Sequence, residues 1–424
     1  MKGQKAMKLT FDKEAFTKDL ETLISIKSIN GNCGEKSENS PLGKGINDAI
    51  EAFLEIGKRF GFKTKNLGGY CGWIEMGEGE KMLGIIAHTD TVETGDGWTY
   101  PALSCTVTEE GYYGRGVIDD KGPALLALYV MKAIQDSGIK LDKRVRLIIG
   151  GDEESGGCKC IARYKETEEL PSISFSPDAD YPVVFGEKGL LRVKISGNEA
   201  AVPSDFKFEG GTVVNIVPDE ARAIIDGKEY VEKGKAAHGS LPEKGENAIL
   251  KLAEKIVPMI KDSAFSRLMS ITTAKSMNID IKDEITSLSI NPSVIYADSQ
   301  KCELSYDIRY PITADGEKVI ENIKKAAEEK ELSAEIYFHE RSLYVPTDSH
   351  LVSTLSAIYK EHTGDDRKPM AIGGGTYAKS FENCVAFGVM FPDQPSTMHA
   401  PDEFWSHKDV ATNFDILTDA IIKL

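Results

Sequence analysis

The chain is poor in positive charge. Its 51 lysines and arginines face 67 acids, and the resulting −16 works against any protein that tracks phosphates or coats an anionic membrane. It also lacks long apolar runs: none approaches the ~18 residues needed to span a bilayer. The opening stretch MKGQKAMKLTFDKE is basic but has no apolar core of a secretory leader, and Met7 serves as a start as well as Met1. Cysteine is sparse and odd in number, seven in all. Without an even framework for disulfides, the chain fits a reducing compartment and a cytoplasmic location. Cys158 and Cys160 form the one close pair. No second pair completes a four-thiolate set, so they read as thiols at a helix start, with metal ligation as the alternative. The sequence has no fixed-period repeat and no low-complexity tract, which excludes solenoids and tail-like segments.

What remains is an ordinary globular composition, 41% apolar and 28% charged, in a chain of 424 residues. That length exceeds the roughly 250–300 residues at which a single core stops growing, so two domains are expected. Residues 11–29 read as an amphipathic helix with Asp12 as its cap, and residues 46–60 as a second helix stopped at Gly61. KMLGIIAHTDTVE is an apolar strand opening into polar residues. A helix follows with Pro123 in its first turn and Gly138 at its end, and then the buried strand VRLIIG. This strand–helix–strand order predicts an α/β sheet with parallel strands and a site beyond their carboxyl ends. From about residue 189 the texture changes. LLRVKISG, TVVNIVPDEARAII, SLSINPSVIYAD and KCELSYDIRYP read as short strands, and NAILKLAEKIVPMIKDS and ADGEKVIENIKKAAEEK as helices. These predict a second, α+β domain. The long helix at 351–362 and the Gly373–Gly375 turn return to the first texture. The chain thus divides into 1–188, 189–345 and 346–424.

Polar clusters punctuate the first and last parts: His88-Thr89-Asp90, Asp119-Asp120-Lys121-Gly122, Asp152-Glu153-Glu154, Asp178 and His399. Three adjacent acids at the end of an apolar strand repel one another unless a cation or a reacting proton is present. Histidine and carboxylate ligands suit zinc, and two such ions about 3.5–4 Å apart make a hydrolytic site. A count fits. His88 with Asp178 serves one ion, His399 with Glu154 the other, and Asp119 is shared. Glu153 is then left as the general base and Asp152 as a solvated or hydrogen-bonded neighbour. Asp90, two residues from His88 in an extended segment, faces the same way and orients the ring, or else caps its own turn.

HTDTV (88–92), GRGVIDDKGP (114–123), GGDEESGG (150–157), PDADYPVVFGEKG (177–189), GGTVVNIVPDEA (210–221), DIRYP (307–311), GGGTYAKSFENCVAFG (373–388) and MHAPDE (398–403), in this order, resemble the M20 metallopeptidases. The match is nearest to their PepV-like bacterial dipeptidase branch. The resemblance implies a zinc-peptidase-like catalytic domain, a mixed sheet flanked by helices, with an inserted α+β lid over 189–345. It implies two Zn2+ per chain, Mn2+ or Co2+ being acceptable, and a cis peptide after Asp119. It implies Asp119 as the bridging ligand, Glu153 as base, Glu154, Asp178 and His399 as ligands, and His238 as a lid histidine steadying the oxyanion. Asn215 and Arg309 match substrate-contacting positions, Arg309 suiting a terminal carboxylate. Their alternatives are a turn former and a surface strand residue. The backbone of Gly374 and Gly375 could serve the same carboxylate. Lys121 matches a motif position without an assigned role, and His339, His350, His362 and His407 read as surface or capping residues. The implied reaction is hydrolysis of dipeptides, with deacylation of N-acyl amino acids as runner-up. A lid shorter than in the larger relatives leaves open whether His238 acts in its own chain or across a dimer, and with it monomer or homodimer.

Overall fold

A computed structural model describes residues 9–157 and 159–424. Cys158 and the two alternative starts, Met1 and Met7, lie outside the described residues. The chain divides into two compact units. One comprises Met1–Phe185, Val345–Met370 and Thr376–Leu424, the other Gly186–Tyr344 and Ala371–Gly375.

The first unit is built on a mixed sheet. Its strands run in the order Lys63–Asn66, Cys71–Met76, Arg144–Gly150, Met82–His88, Ile173–Ser176 and Cys384–Ala386, followed by Val184 and Phe185, the first two residues of strand Val184–Glu187. The four central strands are mutually parallel, and those outside them are antiparallel. Met82–His88 is buried along its whole length and Arg144–Gly150 nearly so, as strands covered on both faces require.

Helix Lys13–Ser25 starts at Asp12, whose carboxylate accepts the amides of Glu14 and Ala15, each at 3.0 Å. It stops four residues short of the expected end because Ile26 turns extended. The carbonyls of Leu23 and Ile26 are taken instead by Lys121 Nζ, each at 2.9 Å. Helix Lys121–Ser137 is buried on nearly every side and ends at Gly138 in the left-handed conformation. A Cβ on Gly122 would lie 1.9 Å from the Val117 carbonyl oxygen, so only glycine lets this turn fold back so tightly.

The second unit carries a seven-stranded sheet, ordered Lys228–Lys233, Glu220–Ile225, Lys207–Gly210, Ser289–Asp298, Lys301–Tyr310, Gly189–Asn198 and Ser333–Glu340. Every pairing in it is antiparallel. Along Gly189–Asn198 burial alternates, with Leu191, Val193 and Ile195 inward, the period-two pattern of a sheet with one covered face. Helices Ala248–Ile256, Ala264–Met269 and Gly316–Glu328 supply Ile249, Leu252, Phe265, Val319 and Ile323 to that core.

Two expectations are corrected. The helix read across NAILKLAEKIVPMIKDS ends at Ile256 and passes into a 3-10 turn at Val257–Met259, because Pro258 cannot supply the next amide. Of TVVNIVPDEARAII only Glu220–Ile225 is a strand. The part before it, interrupted by Pro218, is a loop carrying Asn215. Among the described residues no helix is long and apolar enough to cross a membrane.

Candidate metal centre

Three of the polar clusters lie where adjacent parallel strands end. His88 closes Met82–His88 and stands opposite Gly150, the last residue of Arg144–Gly150. Asp152, Glu153 and Glu154 follow directly, and Asp178 follows Ile173–Ser176. Asp119 lies just before helix Lys121–Ser137, joined to Asp120 by a cis peptide. His399 sits in a turn closed by Ala400 N–H on the Thr397 carbonyl at 3.2 Å, with a left-handed φ of 61°.

These distant positions converge. His88 Nε2 lies 3.2 Å from Asp119 Oδ1 and 3.5 Å from Asp178 Oδ2. His399 Nε2 lies 3.0 Å from Asp119 Oδ2 and 3.1 Å from Glu154 Oε2. Each imidazole therefore meets one oxygen of Asp119 and one oxygen of a second carboxylate. Ligands about 2.0–2.1 Å from a tetrahedral ion stand roughly 3.3 Å apart, and these four separations bracket that edge. One potential ligand atom from each of His88, Asp119 and Glu154 falls within 4.8 Å of the others, as does one from each of His88, Glu153 and Asp178. His88 Nε2 and Glu154 Oε1 are buried without a hydrogen bond. This donor set suits divalent zinc-type cations.

The electrostatics point the same way. Burial pushes Glu153 well above the ordinary carboxylate range; Asp178, Glu154 and Asp90 add to this and His88 opposes it. Burial also raises Glu154 and Asp178. Against the same effect, the imidazoles of His399 and His88 beside it hold Asp119 below its usual range. Burial disfavours a charged His88, but Asp119, Asp178 and Asp90 outweigh it and raise that imidazole well above its ordinary value. Asp119 and Glu154 raise His399 to about 10. So dense a carboxylate cluster is balanced either by protons on the two rings or by divalent cations.

The surrounding side chains fix this arrangement. Asp90 meets the His88 ring chiefly through its own carbonyl, 3.0 Å from Nδ1, with a carboxylate oxygen at 3.5 Å. Its carboxylate mainly holds the acidic loop, accepting the amides of Glu153 at 3.2 Å and Glu154 at 3.0 Å and the Asn30 side chain at 3.1 Å. Asp120 accepts the His88 amide at 3.1 Å. Asp152 is buried, not solvated. It accepts Lys159 N–H at 2.9 Å and Cys160 N–H at 3.2 Å at the start of helix Lys159–Thr167. The Tyr377 hydroxyl donates to it at 3.2 Å.

Sequence reasoning assigned no role to Tyr377, Asn30, Arg115 or Glu403. Glu403 is fully buried. Its Oε1 accepts the amides of Gly116, Ile118 and Asp119 at 2.9, 3.0 and 3.2 Å, and its Oε2 receives Arg115 Nη1 at 2.8 Å. It thereby clamps the loop of Asp119 to the segment of His399. Burial, with Asp119 nearby, raises its carboxyl to about 7. Its only signal in the sequence was its place in MHAPDE. Lys121, which no role was assigned, is buried with its ammonium on the carbonyls that end helix Lys13–Ser25.

The remaining candidates lie in the second unit. His238 is exposed and its Nδ1 is 2.7 Å from Ser240 Oγ. Asn215, half-buried, accepts Gly239 N–H on its carbonyl at 2.7 Å. Arg309 is buried rather than a surface residue. Its Nε and Nη2 donate to Asp307 at 3.0 and 3.2 Å, and its Nη1 donates to the Gly373 carbonyl at 2.5 Å. Of the five N–H donors of a guanidinium these use three, leaving two for a ligand. Gly373 and Gly374 are half-exposed and Gly375 exposed. Of the other histidines, His339 meets Tyr310 Oη at 2.9 Å, His362 Asp419 at 2.9 Å, His407 the Thr108 carbonyl at 3.0 Å and His350 Thr354 at 3.3 Å. His350 is exposed and the other three are half-buried.

Known proteins resemble this chain in sequence and in fold. The model of Peptidase family M20/M25/M40 matches residues 84–423. YtjP of Bacillus subtilis (strain 168), provisionally named a dipeptidase, is 34% identical, with 97% of each chain covered. The Beta-Ala-Xaa dipeptidase of Lactobacillus delbrueckii subsp. lactis is 33% identical over 97% of this chain and 96% of its own. Among solved structures, aminoacylhistidine dipeptidase from Vibrio alginolyticus shares the fold, with a TM-score of 0.65 at 15% identity and 97% of each chain covered.

Proposed function

Since the chain belongs to peptidase family M20/M25/M40 and is a hydrolase of the metallopeptidase class, we propose that it cleaves the peptide bond of dipeptides at a two-cation centre. The observation that carries this reading is the sharing of Asp119: one oxygen meets His88 and the other meets His399, each ring having its own second carboxylate. In this reading His88 and Asp178 would hold one ion, His399 and Glu154 the other, and Asp119 would serve both. Zn2+ is the natural occupant, with Mn2+ or Co2+ able to replace it. Bound there, such ions would polarise the scissile carbonyl and acidify the attacking water.

The chain's own groups do the rest. Glu153, whose carboxyl burial pushes above the ordinary range, takes a proton from the water as its oxygen attacks the carbonyl carbon. It passes that proton to the departing amine nitrogen as the carbon–nitrogen bond breaks. Asp90 keeps Glu153 in place through its amide. His238 donates to the oxyanion, and Arg309, Asn215 and the backbone of Gly374 and Gly375 receive the substrate's far end. The relatives' names favour dipeptides. Glu153→Ala should lower kcat by about 10²–10⁴-fold while bound metal stays at the wild-type amount. Near-normal turnover by that variant would defeat the assignment of the base. Assaying Ala-Ala and β-Ala-His beside N-acetyl and N-succinyl amino acids, at fixed metal, tests the substrate class. Preference for the acylated amino acids would overturn it.

A further inference from the structure

We propose that Ser240 is a positioning residue for His238, fixing its imidazole as the Nε2–H tautomer so that the exposed edge of the ring is a hydrogen-bond donor. The proposal deepens the functional reading above and rests on its assignment of His238 as the oxyanion donor. Two groups of Ser240 converge on His238 Nδ1: the hydroxyl at 2.7 Å and the backbone N–H at 3.3 Å. A hydroxyl can donate or accept, but a backbone N–H can only donate. Nδ1 therefore presents its lone pair, and in the neutral ring the proton is on Nε2. The charged groups around the ring keep it neutral: burial and the Arg309 guanidinium lower its pKa, opposed by Asp307. A free imidazole would sample both tautomers, and one of them offers a lone pair where an oxyanion needs a proton.

Ser240 is itself held. A Cβ on Gly373 would stand 3.2 Å from the Ser240 Cβ, so the Gly373 turn packs directly on the serine. The same Gly373 accepts Arg309 Nη1 through its carbonyl, and Arg309 is locked on Asp307. The imidazole of His238 and the guanidinium of Arg309 thus share one framework, joined through Ser240 and Gly373. The Ser240 hydroxyl meets the ring and not Arg309, so removing it alone frees the ring while Gly373 still holds Arg309, and its loss is expected in kcat rather than in KM.

The experiment uses the full chain loaded with Zn2+ and Ala-Ala as substrate. In Ser240→Ala, kcat should fall about tenfold, a fraction of the roughly 10²–10³ lost with a whole oxyanion donor, and KM should stay within about twofold. Ser240→Thr keeps the hydroxyl and should restore most of the rate. In a His238→Ala background, Ser240→Ala should cost nothing more. Ring ¹⁵N shifts of His238 in the resting wild-type protein should show a protonated Nε2 and a lone pair on Nδ1, with this bias weakened in Ser240→Ala. A proton on Nδ1 in the wild type, or an equal loss of kcat from Ser240→Ala with His238 already removed, would overturn the proposal. If His238→Ala turned over normally, the oxyanion reading would fail, while the ring shifts would still decide whether Ser240 sets the tautomer.

Discussion

Removing the Glu403 carboxylate tests the clamp between the Asp119 loop and the His399 segment. In Glu403→Ala the Arg115 guanidinium loses its buried partner and three amides, those of Gly116, Ile118 and Asp119, lose their acceptor. Breaking a buried pair by deleting one partner costs about 3–5 kcal/mol. Each orphaned amide adds at most about 1–3 kcal/mol, less whatever water entering the void recovers. The loss is about 3–5 kcal/mol even if water satisfies all three amides, a large share of the ~5–15 kcal/mol that holds a domain together. Glu403→Gln keeps an acceptor for the amides but turns its own N–H toward Arg115, and should cost about half as much. Because the Asp119 amide is one of the three, metal affinity should fall as well, by about 10–100-fold, the usual effect of removing a partner that orients a ligand. Urea unfolding with and without Zn2+, and a competition titration against a chelator, measure the two effects. A Glu403→Ala protein within about 1 kcal/mol of wild type and with unchanged affinity would show that the clamp does not hold the centre together.

Other outcomes follow from the same structure. Arg309→Lys should raise KM for a dipeptide about 10–100-fold, because an ammonium cannot keep Asp307 and Gly373 and also present a fork. A dipeptide amide, lacking the carboxylate, should show little difference between the two proteins, and an equal penalty on the amide would refute that role. His399, raised to about 10 beside Asp119 and Glu154, carries a proton at pH 8 before metal arrives, and a ligand must be neutral. Metal binding at pH 8 should therefore release at least one proton per chain, and affinity should climb as pH rises toward about 10. Calorimetry in buffers of different ionisation enthalpy reads the release directly, and a heat independent of buffer would contradict it.

How legible the site was depended on what each residue touches. The strand ends of Met82–His88 and Arg144–Gly150 could be read because uniformly apolar segments giving way to polar and acidic residues leave few other placements, whereas Ile173–Ser176, where serines alternate with apolar residues, was not read as a strand. His88, Asp119, Glu154, Asp178 and His399 could be grouped by counting donors, and the structure does bring them together. Glu403 could not be found that way, since it holds three backbone amides and nothing in the chain marks which amides will need an acceptor. Asp90 was placed by strand periodicity against the His88 ring, yet its carboxylate serves mainly the amides of Glu153 and Glu154, contacts made across the sheet rather than along a strand. Arg309 was similarly legible as a fork but not as one already committed to Asp307 and Gly373. Pro258 announced a break that the apolar spacing around it concealed.

Lys121 draws the far end of the polypeptide into the chemistry. Its buried ammonium is solvated by two carbonyl oxygens of the first helix and its exit, two residues from the carboxylate shared by both imidazoles. The N-terminal helix is thus the hydration shell of an interior cation as well as a piece of wall. A chain trimmed through Ser25 would take away the Leu23 carbonyl and leave the Lys121 amine with Ile26 alone, and the fault would surface at the loop of Asp119, far from the cut.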